Sequence, residues 1–184
     1  MFALLAVAFQ WVYPFIAVDF LGGFVHWFYD TYGSVDTPII GKLIIGPNAE
    51  HHRRPMAFCD GTFWSRNSIV IYAAAVLAAT WWALGLMTVP WALAFAMGAV
   101  GNEIHYFTHC RPRYVPRVVA WLQRARILQT RHQHLVGHHK NPFDGCYCIC
   151  LNVTNPLLDG VGFWRFLEAG IQAATGRPPR AARP

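Results

Sequence analysis

Three long apolar stretches dominate the chain. From Ser68 to Met87, "SIVIYAAAVLAATWWALGLM" runs without a charge, and at 1.5 Å per residue such a helix covers the roughly 30 Å of bilayer hydrocarbon. A short turn around Pro90 leads into "WALAFAMGAVGNEIHYFTH", whose first half is apolar and whose far end carries Asn102, Glu103, His105 and His109. The third stretch, Phe2 to Tyr29, is interrupted by Pro14, Asp19 and His26. It lacks the basic start of a signal peptide and is too long for its apolar core, so it is read as a span. Asp19 inside a span is costly and must face a partner within the bundle.

The remaining segments have other patterns. "TPIIGKLIIGPNAEHHRRP" mixes a short apolar run with Gly, Pro and charge, which predicts an interfacial or re-entrant helix. "VPRVVAWLQRARILQ" puts most of its apolar residues on one side of a helix, with arginines between them, and should lie at a membrane surface. A last amphipathic helix is predicted over Gly162 to Ala174. Period-two alternation occurs only around "CYCIC". The expected architecture is all-α: a multi-pass membrane protein of about three spans, interfacial helices and a small inner-side domain. Residues 1–175 form one membrane-embedded domain and 176–184 a disordered tail.

Composition agrees with this reading. Over 184 residues, 55% are hydrophobic and 13% charged, too apolar for an ordinary soluble domain. With three spans, Lys42, Arg53, Arg54 and Arg66 fall in one loop and the other eleven basic residues follow the third span, so all 15 share one side. That is the positive-inside asymmetry. It places the histidine-rich side in the cytoplasm, with a bacterial inner membrane preferred to endoplasmic reticulum, and the net charge of +6 then calls for no nucleic acid. The five cysteines fall on that same side, in an odd number, which argues against a disulfide framework. The spacing of Cys146, Cys148 and Cys150 suits packing better than a zinc knuckle.

The nine histidines equal all carboxylates combined. Asp19, His26 and Asp30 lie at i, i+7 and i+11, within ~20° of one helical face. His51 and His52 are adjacent; His105 and His109 are one turn apart; His134 and His138 are one turn apart, with His132 before them and His139 after. Imidazoles spaced by a helical turn converge on one point. Eight or nine such donors exceed what one tetrahedral zinc needs and suit two six-coordinate ions, with an all-nitrogen di-iron centre the economical choice. Taken singly, His26 is more often a helix-end hydrogen bonder, and Gly22 and Gly23 serve close helix packing. Haem would need histidines deep within the spans, and no HExxH motif of zinc proteases occurs.

The segments "DFLGGFVHWFYDTYGS", "EHHRRP", "NEIHYFTH", "VPRVVAWLQRARIL", "GHHKNPFDGCYCI" and "GFWRFLE", in this order, resemble the plasmanylethanolamine desaturase family of lipid desaturase domain proteins. That family also includes CarF-like bacterial proteins and the plant chloroplast enzyme that makes a trans double bond in phosphatidylglycerol palmitate. The resemblance covers roughly residues 19–168. It implies His26, His51, His52, His105, His109, His134, His138 and His139 as ligands of two irons, with O2 as co-substrate. Asp30 is implied as a ligand or its support and Asn155 as a ligand through water, while Asp19, from its place in the span, is expected to support His26. His132 is a candidate replacement for a family histidine whose place Leu135 takes.

The implied reaction is O2-dependent desaturation of a membrane lipid, foremost conversion of the alkyl ether of a plasmanylethanolamine to a vinyl ether, as in plasmalogen synthesis. The competing outcomes are acyl-chain desaturation, hydroxylation, or a non-enzymatic metal-binding or regulatory role. Electrons must come from an external donor such as cytochrome b5 or ferredoxin, since no dinucleotide-binding glycine motif is present. Arg53, Arg54 and Arg111 are candidate headgroup contacts.

Overall fold

The computed structural model describes residues 2–140 and 145–180. These are helical, with no strand among them; the nearest approach to a sheet is an isolated antiparallel bridge between Leu128 and Leu151. α1 (Phe2–Tyr32) is the longest described helix, and within it Leu5–Tyr32 is long and apolar enough to cross a membrane. No other described helix meets that criterion.

α3 (Phe63–Ala83) carries the second expected span but begins earlier and ends earlier than the apolar run alone predicts. The Thr62 hydroxyl accepts the Ser65 N–H as an N-cap and so fixes the start. Gly85, at φ +71°, turns the chain at the other end. The third expected span is two helices, α4 (Val89–Ala99) and α5 (Gly101–His109), broken at Val100. Small residues allow the break: Gly98 faces a methyl of Val18 and Gly101 faces the Cys150 sulfur. α4 packs along both α1 and α3, and α5 continues against α3.

The segments expected at a membrane interface form short helices. A π-helical turn (Gly41–Ile45) leads into α2 (Gly46–Arg53), where Pro47 at the start is tolerated because its missing N–H has no intrahelical role. The amphipathic helix expected from Val115 is shorter, α6 (Arg117–Arg124), and ends where Arg126 turns at φ +57°. α7 (Arg131–His134) passes into a second π-helical turn, Leu135–His139. α8 (Thr154–Gly160) and α9 (Phe163–Thr175) close the chain over α1. The core there is aromatic: Trp27, Tyr32, Tyr147 and Trp164 are buried together with Cys148.

The beginning of the tail predicted as disordered is held in place. Arg177 donates to the Tyr32 carbonyl at 2.8 Å, and the Arg180 N–H donates to the Thr31 carbonyl at 3.0 Å, so residues 177–180 cover the end of α1. Residues 181–184 lie outside the described residues.

Candidate metal centre

Five elements bring histidines to one place, and each does so by a local pattern. α1 presents His26 and Asp30 one turn apart; α2 presents His51 and His52; α5 presents His105 and His109 one turn apart; α7 and the π-helical turn present His134, His138 and His139. Their ligand atoms form two groups, each with all such atoms within 4.8 Å of one another. His51, His105, His109, His134 and His139 make one; His26, Asp30, His52 and His138 make the other.

Both adjacent pairs are split between the groups. His51 and His139 face the first, while His52 and His138 face the second. The seam is tight, with the His52 and His139 rings 5.1 Å apart and the His134 and His138 rings 5.4 Å apart.

In the second group, backbone carbonyls fix the ring orientation. His26 Nδ1 lies 2.9 Å from the Tyr147 carbonyl and His138 Nδ1 lies 3.0 Å from the Gly145 carbonyl. A carbonyl only accepts, so Nδ1 carries the proton and Nε2 keeps its lone pair. The two Nε2 atoms point at Asp30 Oδ2, at 3.3 and 3.5 Å, and all three atoms are buried without a hydrogen bond. Two lone pairs and a carboxylate oxygen turned on one another in a buried space are the donor set of a cation, not of a hydrogen-bond network. Asp30, also 3.1 Å from His52 Nε2 and 2.6 Å from the Asn48 amide, sits within the group itself rather than behind it.

In the first group the Nε2 atoms crowd together, His105 to His109 at 2.8 Å, His134 to His139 at 3.0 Å and His51 to His105 at 3.2 Å. Burial, reinforced by the neighbouring imidazoles, pushes His51 down to about 2 and His139 to about 3, and His134 and His138 well below the usual histidine range. They are neutral at physiological pH, the form that ligates metal. Nine neutral or anionic donors in two adjoining groups could hold metal ions, and imidazole with a carboxylate suits iron among several transition metals.

Outside the ligand groups, two devices hold the helices in register. Arg131 at the start of α7 donates to the carbonyls of His109 at 2.6 Å and Cys110 at 3.0 Å, placing a cation on the C-terminus of α5. The non-helical strap 145–152 crosses behind α1. Its cysteines each pack on a glycine of a different element: Cys146 on Gly137, Cys148 on Gly23 and Cys150 on Gly101. Burial, with Asp159 beside it, raises the Cys146 thiol to about 12, and Cys148 and Cys150 are also pushed up, so these sulfurs are protonated packing groups.

Three expected site residues are placed elsewhere. His132 is exposed and belongs to neither group, so it is not gathered with the ligands in place of the histidine missing at Leu135. Asn155 pairs both ends of its amide with the backbone of Cys148, at 2.9 and 2.7 Å, and so holds the strap. Asp19 does not touch His26. It accepts the N–H groups of Cys150 and Leu151, and so reaches His26 only through the strap that offers the Tyr147 carbonyl. Of the arginines, Arg53 is paired with Glu50 at 2.5 Å, whereas Arg54 and Arg111 line a common cavity.

Sequence reading missed Phe58, whose ring packs on His51 at 4.8 Å and His105 at 5.0 Å, and the carbonyls of Gly145 and Tyr147. Backbone acceptors leave no residue-type signal.

Comparison with known proteins gives one consistent result. The lipid desaturase domain model matches residues 15–182. The chain is 35% identical over 178 residues to plasmanylethanolamine desaturase 1 of Mus musculus, covering 90% of this chain and 65% of that protein. It is 32% identical over 176 residues to the plasmanylethanolamine desaturase of Myxococcus xanthus, covering 90% and 60%. A probable fatty acid desaturase of Acanthamoeba polyphaga mimivirus is 32% identical over 177 residues, covering 94% and 86%. The chain therefore spans somewhat less than two thirds of the first two relatives. No solved structure matches.

Proposed function

The chain belongs to the lipid desaturase domain family, and from that premise we propose that it is an O2-dependent di-iron desaturase of a membrane glycerophospholipid. The foremost substrate is a plasmanylethanolamine-type ether lipid, converted to its vinyl ether. The observation that carries the reading is the split of nine donor groups into two adjoining sets, His51, His105, His109, His134 and His139 against His26, Asp30, His52 and His138. One ion would leave half of them without a role.

Two irons held there would supply removal of two hydrogens from adjacent unactivated carbons, with O2, two external electrons and two protons leaving as two waters. No side chain here could deprotonate such a carbon. The protein's own share is placement. His26 and His138 are pre-turned by the strap carbonyls, Phe58 shields one side of the five-imidazole group from water, and the neutral imidazoles cost nothing to deprotonate on metal binding. We place three passes in the bilayer, α1, α3 and the broken pair α4 and α5, with the histidines on the cytoplasmic side and an external cytochrome or ferredoxin as donor.

Expression in a plasmalogen-free host, followed by lipid mass spectrometry and acid-labile aldehyde release, tests the reading. A vinyl ether, or another new double bond, is expected. Neither product, with ether lipid and electron donor both supplied, would overturn it.

A further inference from the structure

An open cavity of about 510 Å³ lies beside the five-imidazole group and has no role in metal binding. Arg54, Met56, Asp60, Tyr106, Arg111 and Tyr114 contribute to its wall, and its size falls within the ~300–1,000 Å³ of small-molecule sites. Resting on the desaturase reading, we infer that this cavity is the headgroup site: Arg54 and Arg111 take the phosphodiester of a phospholipid, and Asp60 takes the ammonium of a zwitterionic headgroup.

Three observations support the assignment. The first is charge left unspent. Arg111 has no ion pair among the described residues, and Arg54 only approaches Glu50 at 3.8 Å, a carboxylate already held by Arg53 at 2.5 Å. Two guanidiniums lining one cavity supply the charge and the N–H donors that a phosphate takes.

The second observation is the opposite charge in the same cavity. Asp60 would repel a purely anionic headgroup and attract one that carries an ammonium next to its phosphate. Arginines that merely followed the positive-inside pattern would need no carboxylate among them.

The third is distance. Ala57 and Cys59 line the cavity, while Phe58 between them lies against His51 at 4.8 Å, His105 at 5.0 Å and His109 at 6.1 Å. The segment 57–59 thus borders the cavity through Ala57 and Cys59 and the ligand group through Phe58. In an ether phospholipid about seven covalent bonds, roughly 9 Å when extended, separate the phosphorus from the second carbon of the alkyl chain. A bond formed next to the ether oxygen therefore requires the headgroup to be anchored close to the oxidising site.

The test is binding by the full, iron-loaded chain in maltoside micelles, measured calorimetrically without O2 or reductant, with dihexanoyl phosphatidylethanolamine, dihexanoyl phosphatidylglycerol and inorganic phosphate. The ethanolamine lipid should bind best. Arg54→Ala and Arg111→Ala should each weaken it by ~10-fold or more, the scale of one charge-assisted contact. Asp60→Asn should lower the preference for ethanolamine over glycerol by ~10-fold, a change that general destabilisation would not produce. Iron content and melting temperature should stay at wild-type values in all three. Wild-type affinity in both arginine variants overturns the site, as does phosphate binding as tight as the lipid's. Wild-type binding by these variants together with normal desaturation removes the site and leaves the reaction; impaired binding without desaturation by any form leaves the site and removes the reaction.

Discussion

Asp19 Oδ1 accepts the N–H of Cys150 at 2.9 Å, joining the middle of α1 to a segment 131 residues later. Its second oxygen takes the Leu151 N–H at 3.1 Å, and the carboxylate is almost fully buried. Asp19→Ala would strand two buried donors, a cost of about 2–4 kcal/mol. The expected result is a lower melting temperature in detergent together with reduced iron, because the strap also orients His26 and His138. Unchanged iron at a lowered melting temperature would separate the strap from the metal site.

The two adjacent glycines of α1 should behave oppositely. A Cβ on Gly23 would collide with the Cys148 sulfur and approach its Cα to 3.2 Å, while one on Gly22 meets nothing within 4 Å. Gly23→Ala should destabilise by about 1–3 kcal/mol, and Gly22→Ala should be neutral or slightly stabilising. Thermal unfolding of the pair, at equal expression, decides the point.

Much of this arrangement was legible in advance, and the reason is periodicity. His105 with His109, and His26 with Asp30, announce themselves by i, i+4 spacing, because a helix turns such residues to one side. The partition of His51 from His52 and of His138 from His139 was not legible, since neighbouring residues on a helix point about 100° apart and only their surroundings show what each meets. Asp19 was recognised as needing a buried partner, but the partner is two backbone N–H groups, which no residue type reveals. The break at Val100 was hidden for a similar reason: Gly98 and Gly101 read as ordinary small residues of a span until Val18 and Cys150 are seen against them.

Metal analysis should discriminate among histidines that look alike in sequence. About two irons per chain are expected. His109→Ala and His138→Ala, one from each group, should each reduce the content to about one or below. His132→Ala, exposed and outside both groups, should leave it unchanged. Loss of iron in His132→Ala alone would reverse the assignment.

Acidification should loosen the metal-free protein. Unfolded histidine titrates near pH 6.5, whereas folded His51 and His139 are held down to about 2 and about 3. Between those values and 6.5 the unfolded chain binds more protons, so this contribution is complete above pH 6.5 and lost progressively as pH falls. Melting of the metal-free chain at pH 5 should occur at least ~5 °C below its value at pH 7.5. An equal or higher temperature at pH 5 would contradict neutral, buried imidazoles.

Thiol accessibility checks both topology and packing. Cys110, Cys148 and Cys150 are buried, and Cys59 borders an open cavity. A charged maleimide added to sealed cells or right-side-out vesicles should label no cysteine, and permeabilisation should expose Cys59 first. Labelling from outside would invert the orientation.

The division of two histidine pairs between the ligand groups has a mechanical consequence. Neighbouring Cα atoms are held ~3.8 Å apart by the covalent chain. His51 with His52, and His138 with His139, therefore act as two short spacers of unalterable length laid across the seam. However the helices shift, the offset between the two halves is gauged by peptide bonds, which do not stretch.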